Sequence, residues 1–433
     1  MRNFHPLYYI GLIAFAVSTA GCDIGVAVLG AAVSALQKEE AEVAETDLAY
    51  HQRRMKEVDG PGWTDLHRAA ATGDVAAVQR LLDQGVPVDV RERNKRTSFY
   101  EAARRGQLEV MELLLENGAN VDAPGRNGAS PLFVAAEYKQ AKVIRFLLEN
   151  GADANHKDSF GITPLHQATM QSWHGSSEIV RILIEEGGAD MNMLTNDGCN
   201  ALYCAVRKNH IQAALYLLSK GADANHVHPG GTPTLYAAVV VQNMETVKAL
   251  LKHGAKPNVI HKDSSTPLME AVQTQNLEIT KVLLEHGADS NFKIEGGRSS
   301  LMQAVVDHNN EMVRLLLMHK ADPNASPEKL DTALGYAVIA HKDEELIRIL
   351  LKAGADPNRA ASLDKLPLGA AIKLEQVEVV RMLLDHGADP MLKIRDHAIQ
   401  DYAIYQGNQE IIDLITQSRL KRIKERRNKK KAA

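Results

Sequence analysis

The sequence predicts an all-α solenoid of about eleven copies of one helix pair, and three observations predict it. The strings TDLHRAA at 64, TSFYEAA at 97, SPLFVAA at 130 and TPLHQAT at 163 follow one another at 33 residues. Their third residues, Leu66, Phe99, Leu132 and Leu165, begin a series that continues through Leu202, Leu235, Leu268, Leu301, Leu334, Leu368 and Gln400, at intervals of 33, 33, 33, 37, 33, 33, 33, 33, 34 and 32. Alanine stands three residues after every one of these markers, from Ala69 and Ala102 to Ala371 and Ala403. A unit of this size cannot bury its apolar face alone, so its copies must stack into one continuous core.

The elements of one copy follow from local chemistry. In AKVIRFLLENGADAN, Val143, Ile144, Phe146 and Leu147 recur at helical spacing and give one apolar face. Gly151 then ends the helix in a left-handed turn without a Cβ clash. The fixed alanines let neighbouring first helices approach closely. The strings GITPLHQATM and GADANHKDSFGITPLH resemble the pattern of ankyrin-repeat proteins, and the resemblance runs from Gly62 to Gln417. It implies a hairpin finger before each antiparallel helix pair, and recognition through finger tips and the exposed side of the first helices.

Departures fall at definite places. Lys320 replaces the turn glycine in MHKADPN, where a left-handed backbone costs about 1 kcal/mol. The interval of 37 comes from an insertion near Trp173 to Gly175 and from the doubled Gly187-Gly188. Gln400 at the last apolar marker suits a polar end cap.

The first 21 residues read as a targeting segment. Arg2 precedes an apolar run from Leu7 to about Ala20, too short to span a bilayer comfortably. The end of the run reads two ways. Ser18 and Ala20 fit ordinary signal-peptidase cleavage, whereas TAGC resembles the lipobox of bacterial lipoproteins, with Thr19 where leucine is usual. That resemblance implies lipidation of Cys22 and a place on the periplasmic face of the cell envelope. In enterobacterial lipoproteins Asp23 would favour the inner membrane over the outer. Residues 22–61 form an apolar and then helix-favouring tether, residues 62–417 the repeat array and residues 418–433 a basic tail.

The chain carries a net charge of −4, but RLKRIKERRNKKK at 419–431 holds nine of the fifty Lys and Arg. The remainder balances 41 basic against 53 acidic residues, an acidic body with a basic end. Lys421, Arg422, Lys424, Arg426, Arg427, Lys429, Lys430 and Lys431 read either as a solvated end or as a contact for anionic lipid, at about 1 kcal/mol per charge near the surface.

No phosphate loop, CxxC, HExxH or GxSxG is present, so neither an enzyme nor a cofactor is expected. His253, His286, His319 and His386 share one repeat position, but stacked helices lie about 8–10 Å apart. Metal coordination needs nitrogens at about 2 Å. They read as helix C-terminal residues favoured by the macrodipole, and no metal is expected. His226 and His228, with His261, are the one pair worth testing for metal. Cys199 and Cys204 read as free thiols.

The resemblance places partner contacts at the two positions after the paired alanines. There Val240, Val241, Val306 and Ile339 are apolar, while Arg104 and Arg207 are basic. Tyr138, Phe160 and inserted Trp173 form a second, aromatic candidate. The whole reads as a monomeric scaffold that binds a protein rather than nucleic acid, and that protects, restrains or assembles it. The alternative is a host-directed or intracellular effector using its N-terminus as export signal or anchor.

Overall fold

The computed structural model describes residues 62–170, 176–292, 298–325, 332–341, 343–359, 366–394 and 397–432. Cys22, Trp173, the targeting segment and the tether lie outside them. Two compact units result, one ending at Leu217 and one beginning at Leu218.

The first unit opens with the helix pair Asp65–Thr72 and Val75–Asp83, and three further pairs follow at the expected period. Its last pair begins with Ala201–Arg207. First helices stack on first helices and second on second. The repeated alanines explain the close approach: Ala102, Ala135, Ala205, Ala238, Ala271 and Ala371 are wholly buried. In the second unit the pairs run from Thr234–Val240 with Met244–Lys252 to Ile399–Gln406 with Gln409–Ala432, and they stack in the same way.

Most first helices start on Ser, Thr or Asn caps, Pro233, Leu366 and Ala398 being the exceptions. Thr97, Ser130, Asn200, Thr266 and Ser299 each accept the backbone N–H three residues on. In the first unit Thr64 and Thr163 instead engage His67 and His166, whose Nε2 atoms bond Arg96 O and Cys199 O of the next repeat. Burial lowers both histidine pKa values, which suits neutral rings locked between repeats.

The fingers are leaner than hairpins. Among the described residues, strand pairing occurs only at Val227–His228 with Thr232–Pro233 and at Lys393–Ile394 with His397–Ala398. Elsewhere one backbone bond closes the turn, as from Asp158 N to Ile162 O at 3.0 Å. Lys320 adopts the left-handed conformation, with φ 65°, as its place in the repeat requires. A second left-handed series ends the first helices, at Lys139, Asn209, Gln242, Gln275 and His308 as well as at glycines.

Two features depart from the regular pattern. In the ninth repeat the first helix is α-helical only over Ala333–Tyr336 and widens to a π-turn over Ala337–His341. In the last repeat the second helix runs unbroken from Gln409 to Ala432, so the boundary drawn at 417 falls inside a helix. No helix among the described residues is long and apolar enough to cross a membrane.

Candidate protein-binding surface

In the second unit, the ends of the first helices carry an apolar strip. Val240 is the last residue of Thr234–Val240 and is 42% exposed, with Val241 half-buried after it. Ile339, at the same repeat position within the π-turn, is 40% exposed, while Val306, ending Ser300–Val306, is half-buried. Turns of this kind cluster at functional sites.

A second strip lies on the fingers and has no counterpart in the sequence reading. Val227 and Ile260 are 49% and 54% exposed at the same place on successive fingers. Leu194 has the same register in the first unit. The signal was available: each stands eight residues before its marker, at Leu202, Leu235 and Leu268. Beneath Ile260, His261 stacks on Tyr236 with ring centroids 4.4 Å apart and planes 5° from parallel. The Tyr236 hydroxyl donates to Glu270 at 2.8 Å, and His261 Nε2 meets Thr232 Oγ1 at 3.2 Å. Burial, reinforced by the Glu270 carboxylate, pushes the Tyr236 pKa up and keeps the phenol a donor. Adjacent fingers are tied by Lys262 N to Gly231 O at 3.0 Å. The apolar side chains therefore stand on a fixed base.

Of the histidines considered for metal, four have visible stacking or hydrogen-bond partners, and a ring nitrogen of His228 also lies within 4.8 Å of ligand atoms of Asp197 and Cys199. His261 belongs to the stack just described, and His228 Nδ1 accepts the Gly230 N–H at 3.0 Å. His286 and His386 cap their helices, each placing Nδ1 at 2.8 Å from the carbonyl four residues back.

The first-unit candidates separate. Arg104 is not a surface contact: it is buried, its Nε 2.8 Å from Glu101 and its guanidinium 6.0 Å over the Tyr138 ring. Glu101, itself completely buried, also pairs with Arg96 at 2.5 Å. Arg207 remains exposed, 5.9 Å over Tyr203. Tyr138 and Phe160 do not cluster, since Tyr138 ends a first helix while Phe160 sits on a finger at the opposite end of such helices. Seven helical residues alone put about 10 Å between those levels. Phe160 is 57% exposed, and its finger is pinned by Asn196 N to Phe160 O at 2.9 Å. Gly161 is required there, with φ 74° and Asn196 N only 2.7 Å from where a Cβ would stand.

The basic end is partly spoken for. Arg422 bonds Asp389 at 2.8 Å and Gly387 O at 2.9 Å, and Arg419 bonds Gln400, which ties the helix back to the array. Lys421, Lys424, Arg426 and Arg427 are exposed on it, whereas the side chains of Lys429, Lys430 and Lys431 lie outside the described residues.

The family model for ankyrin repeats (three copies) matches at residues 44–124, 66–158, 132–228, 235–327, 301–394 and 334–427. The chain belongs to the ankyrin-repeat family. Among solved structures, the human ASB11 ankyrin repeat domain is 27% identical, covering 52% of this chain and 99% of that one, with a TM-score of 0.45. No curated protein matches. Ankyrin arrays are protein–protein interaction scaffolds, so the exposed finger and helix-end positions are the ankyrin surface on which a partner is to be sought.

Proposed function

We propose that this ankyrin protein is a non-enzymatic scaffold of the bacterial cell envelope, anchored through lipidated Cys22 and binding one protein partner through its second unit. The observation that carries the binding surface is the exposure of Val240 and Ile339 on helix ends and of Val227 and Ile260 on fingers. Solvated ends are normally polar, and apolar groups on a fixed base lose little conformational entropy on binding. The lipobox-like TAGC supports the anchor. The exposed cations of the last helix supply a second contact with anionic lipid, since one acyl chain alone holds a protein only marginally. Binding, rather than catalysis, then protects, restrains or assembles the partner.

The test is crosslinking and pull-down from membranes with wild type, Cys22→Ser, and a double variant Val240→Asp, Ile260→Asp. The expected result is one envelope protein captured by wild type, lost with the double variant, and lost from the membrane fraction with Cys22→Ser. Capture unchanged by the double variant contradicts the binding surface; membrane retention of Cys22→Ser, or processing insensitive to globomycin, contradicts the anchor.

A further inference from the structure

We propose that Cys199 and Cys204 are a reversible dithiol pair, closed to an intramolecular disulfide by small-molecule disulfides of the glutathione type. The inference starts from helix geometry. Asn200 caps the helix Ala201–Arg207, accepting the Tyr203 N–H at 2.8 Å. Cys199 is thus the residue before the cap and Cys204 the fourth residue of the helix. Those two positions face each other at a helix start, where an apolar pair usually packs. In the second repeat the same two positions hold Arg96 and Glu101, joined at 2.5 Å. This place in the repeat therefore brings side-chain ends into bonding range, and in the fifth repeat both ends are thiols.

The surroundings suit reaction rather than packing alone. Both cysteines are free and buried, and their side chains hydrogen bond to each other. Cys199 also directs its thiol to Asp197 Oδ2 at 3.7 Å, so the buried pair lies one contact away from an exposed carboxylate. The Cys199 backbone is held by Thr195 Oγ1 to its N–H at 3.0 Å and by His166 and the Thr195 N–H on its carbonyl. Closure then needs side-chain rotation rather than a new backbone path. The hydrogen bond from Cys204 pulls the Cys199 pKa down against burial and the Asp197 charge, while the same contact and burial push Cys204 up. Cys199, which lies on the finger with its thiol towards the exposed Asp197, is the attacking thiol, and Cys204, inside the helix, the resolving one.

The steps balance. Cys199 loses its proton to solvent, and its thiolate attacks one sulfur of the small disulfide, forming a mixed disulfide and releasing one thiolate. Cys204 then loses its proton and attacks Cys199 Sγ, releasing the second thiolate. Two protein thiols become one disulfide while one small disulfide becomes two thiols. The cross-link ties the finger that carries Leu194, 44% exposed, to the first helix of its own repeat.

Trypsin releases residues 182–207 as one peptide containing both cysteines and neither Lys nor another Arg before Arg207. The intact reduced protein is incubated with glutathione disulfide, trapped with an alkylating reagent after denaturation, digested and weighed. The expected peptide lacks two hydrogens, carries no alkyl group, and returns to the doubly alkylated form after reduction. Double alkylation without prior reduction, or a chain-to-chain disulfide, would overturn the proposal. Cys204→Ser conserves size and should accumulate a glutathione adduct on Cys199; no adduct would overturn the assignment of Cys199 as the attacking thiol.

Discussion

The first two repeats of the first unit and the repeats of the second unit solve the same problem with different chemistry. Ten residues before each marker stands a side chain that reaches the next finger. In the second unit it is asparagine: Asn225, Asn258, Asn291, Asn324 and Asn358 each accept a backbone N–H of the following repeat and donate to one of its carbonyls. In the first unit Asn155 likewise accepts Asp190 N at 2.8 Å, but in its first two repeats Asp89 and Asp122 occupy that place and accept from Asn120 N and Asp153 N at 3.2 Å or more. A carboxylate has no proton for the carbonyl, so the donating half of the link is lost. Burial, with the Asp153 charge added, also raises the Asp122 pKa above its ordinary value despite the Asp153 N–H. One atom at a repeated position thus separates a neutral ladder from one that depends on pH.

The largest test of this contrast lies in the buried charges of the first unit. Glu101→Ala removes the acid between Arg96 and Arg104 and should cost about 3–5 kcal/mol, because it leaves buried guanidinium charge uncompensated. Urea denaturation measures it, and a loss near 1 kcal/mol would show that solvent already screens the cluster. Next, Asn258→Ala breaks the bonds to Asp289 N and Gly287 O and should cost about 1–3 kcal/mol. Hydrogen exchange should localise the loss to the neighbouring fingers.

Lys320→Gly relieves a left-handed backbone at φ 65° and should stabilise by about 1 kcal/mol, read as a rise in Tm. The smallest change sharpens the comparison most. Asp122→Asn supplies the missing donor and removes a disfavoured charge, and should stabilise by about 0.5–1 kcal/mol at pH 7. Because the folded pKa of Asp122 is raised, its contribution is fully present below the unfolded pKa and lost as pH rises through the folded one. The part of the Asp122→Asn advantage that comes from ionisation should therefore shrink as pH falls through the raised folded pKa and be gone below the pKa of an ordinary aspartate. Asp343, in the second unit, runs the other way. Burial pushes its pKa up, but hydrogen bonds from Asn310, His308 and two backbone N–H groups pull it to about 2. Its contribution is present above the unfolded pKa and lost as pH falls towards 2, so Asp343→Asn should flatten acid denaturation at the lowest pH.

The array was legible because its signals are local and repeated. The markers, the alanines and the turn glycines each constrain one backbone position, and Lys320 lies where the period put it. What escaped depends on neighbours. Arg104 stands at a position that reads as exposed, and its partners at Glu101, three residues earlier, and Tyr138 in the next repeat draw it inward. Tyr138 and Phe160 are close in repeat number but belong to opposite ends of the helix layer. The π-turn over Ala337–His341 has no local marker in the sequence. The continuous last helix could have been foreseen, since no Gly or Pro interrupts residues 408–433.

The account rests on the second unit's apolar strips being the binding surface. Photo-crosslinking groups placed singly at Val240, Ile260, Ile339 and Met318 test it most directly, because Met318 is 79% exposed at the end of a second helix and belongs to neither strip. The account predicts one shared adduct from the first three positions and none from Met318. The same adduct from Met318, or from Met318 alone, would contradict it.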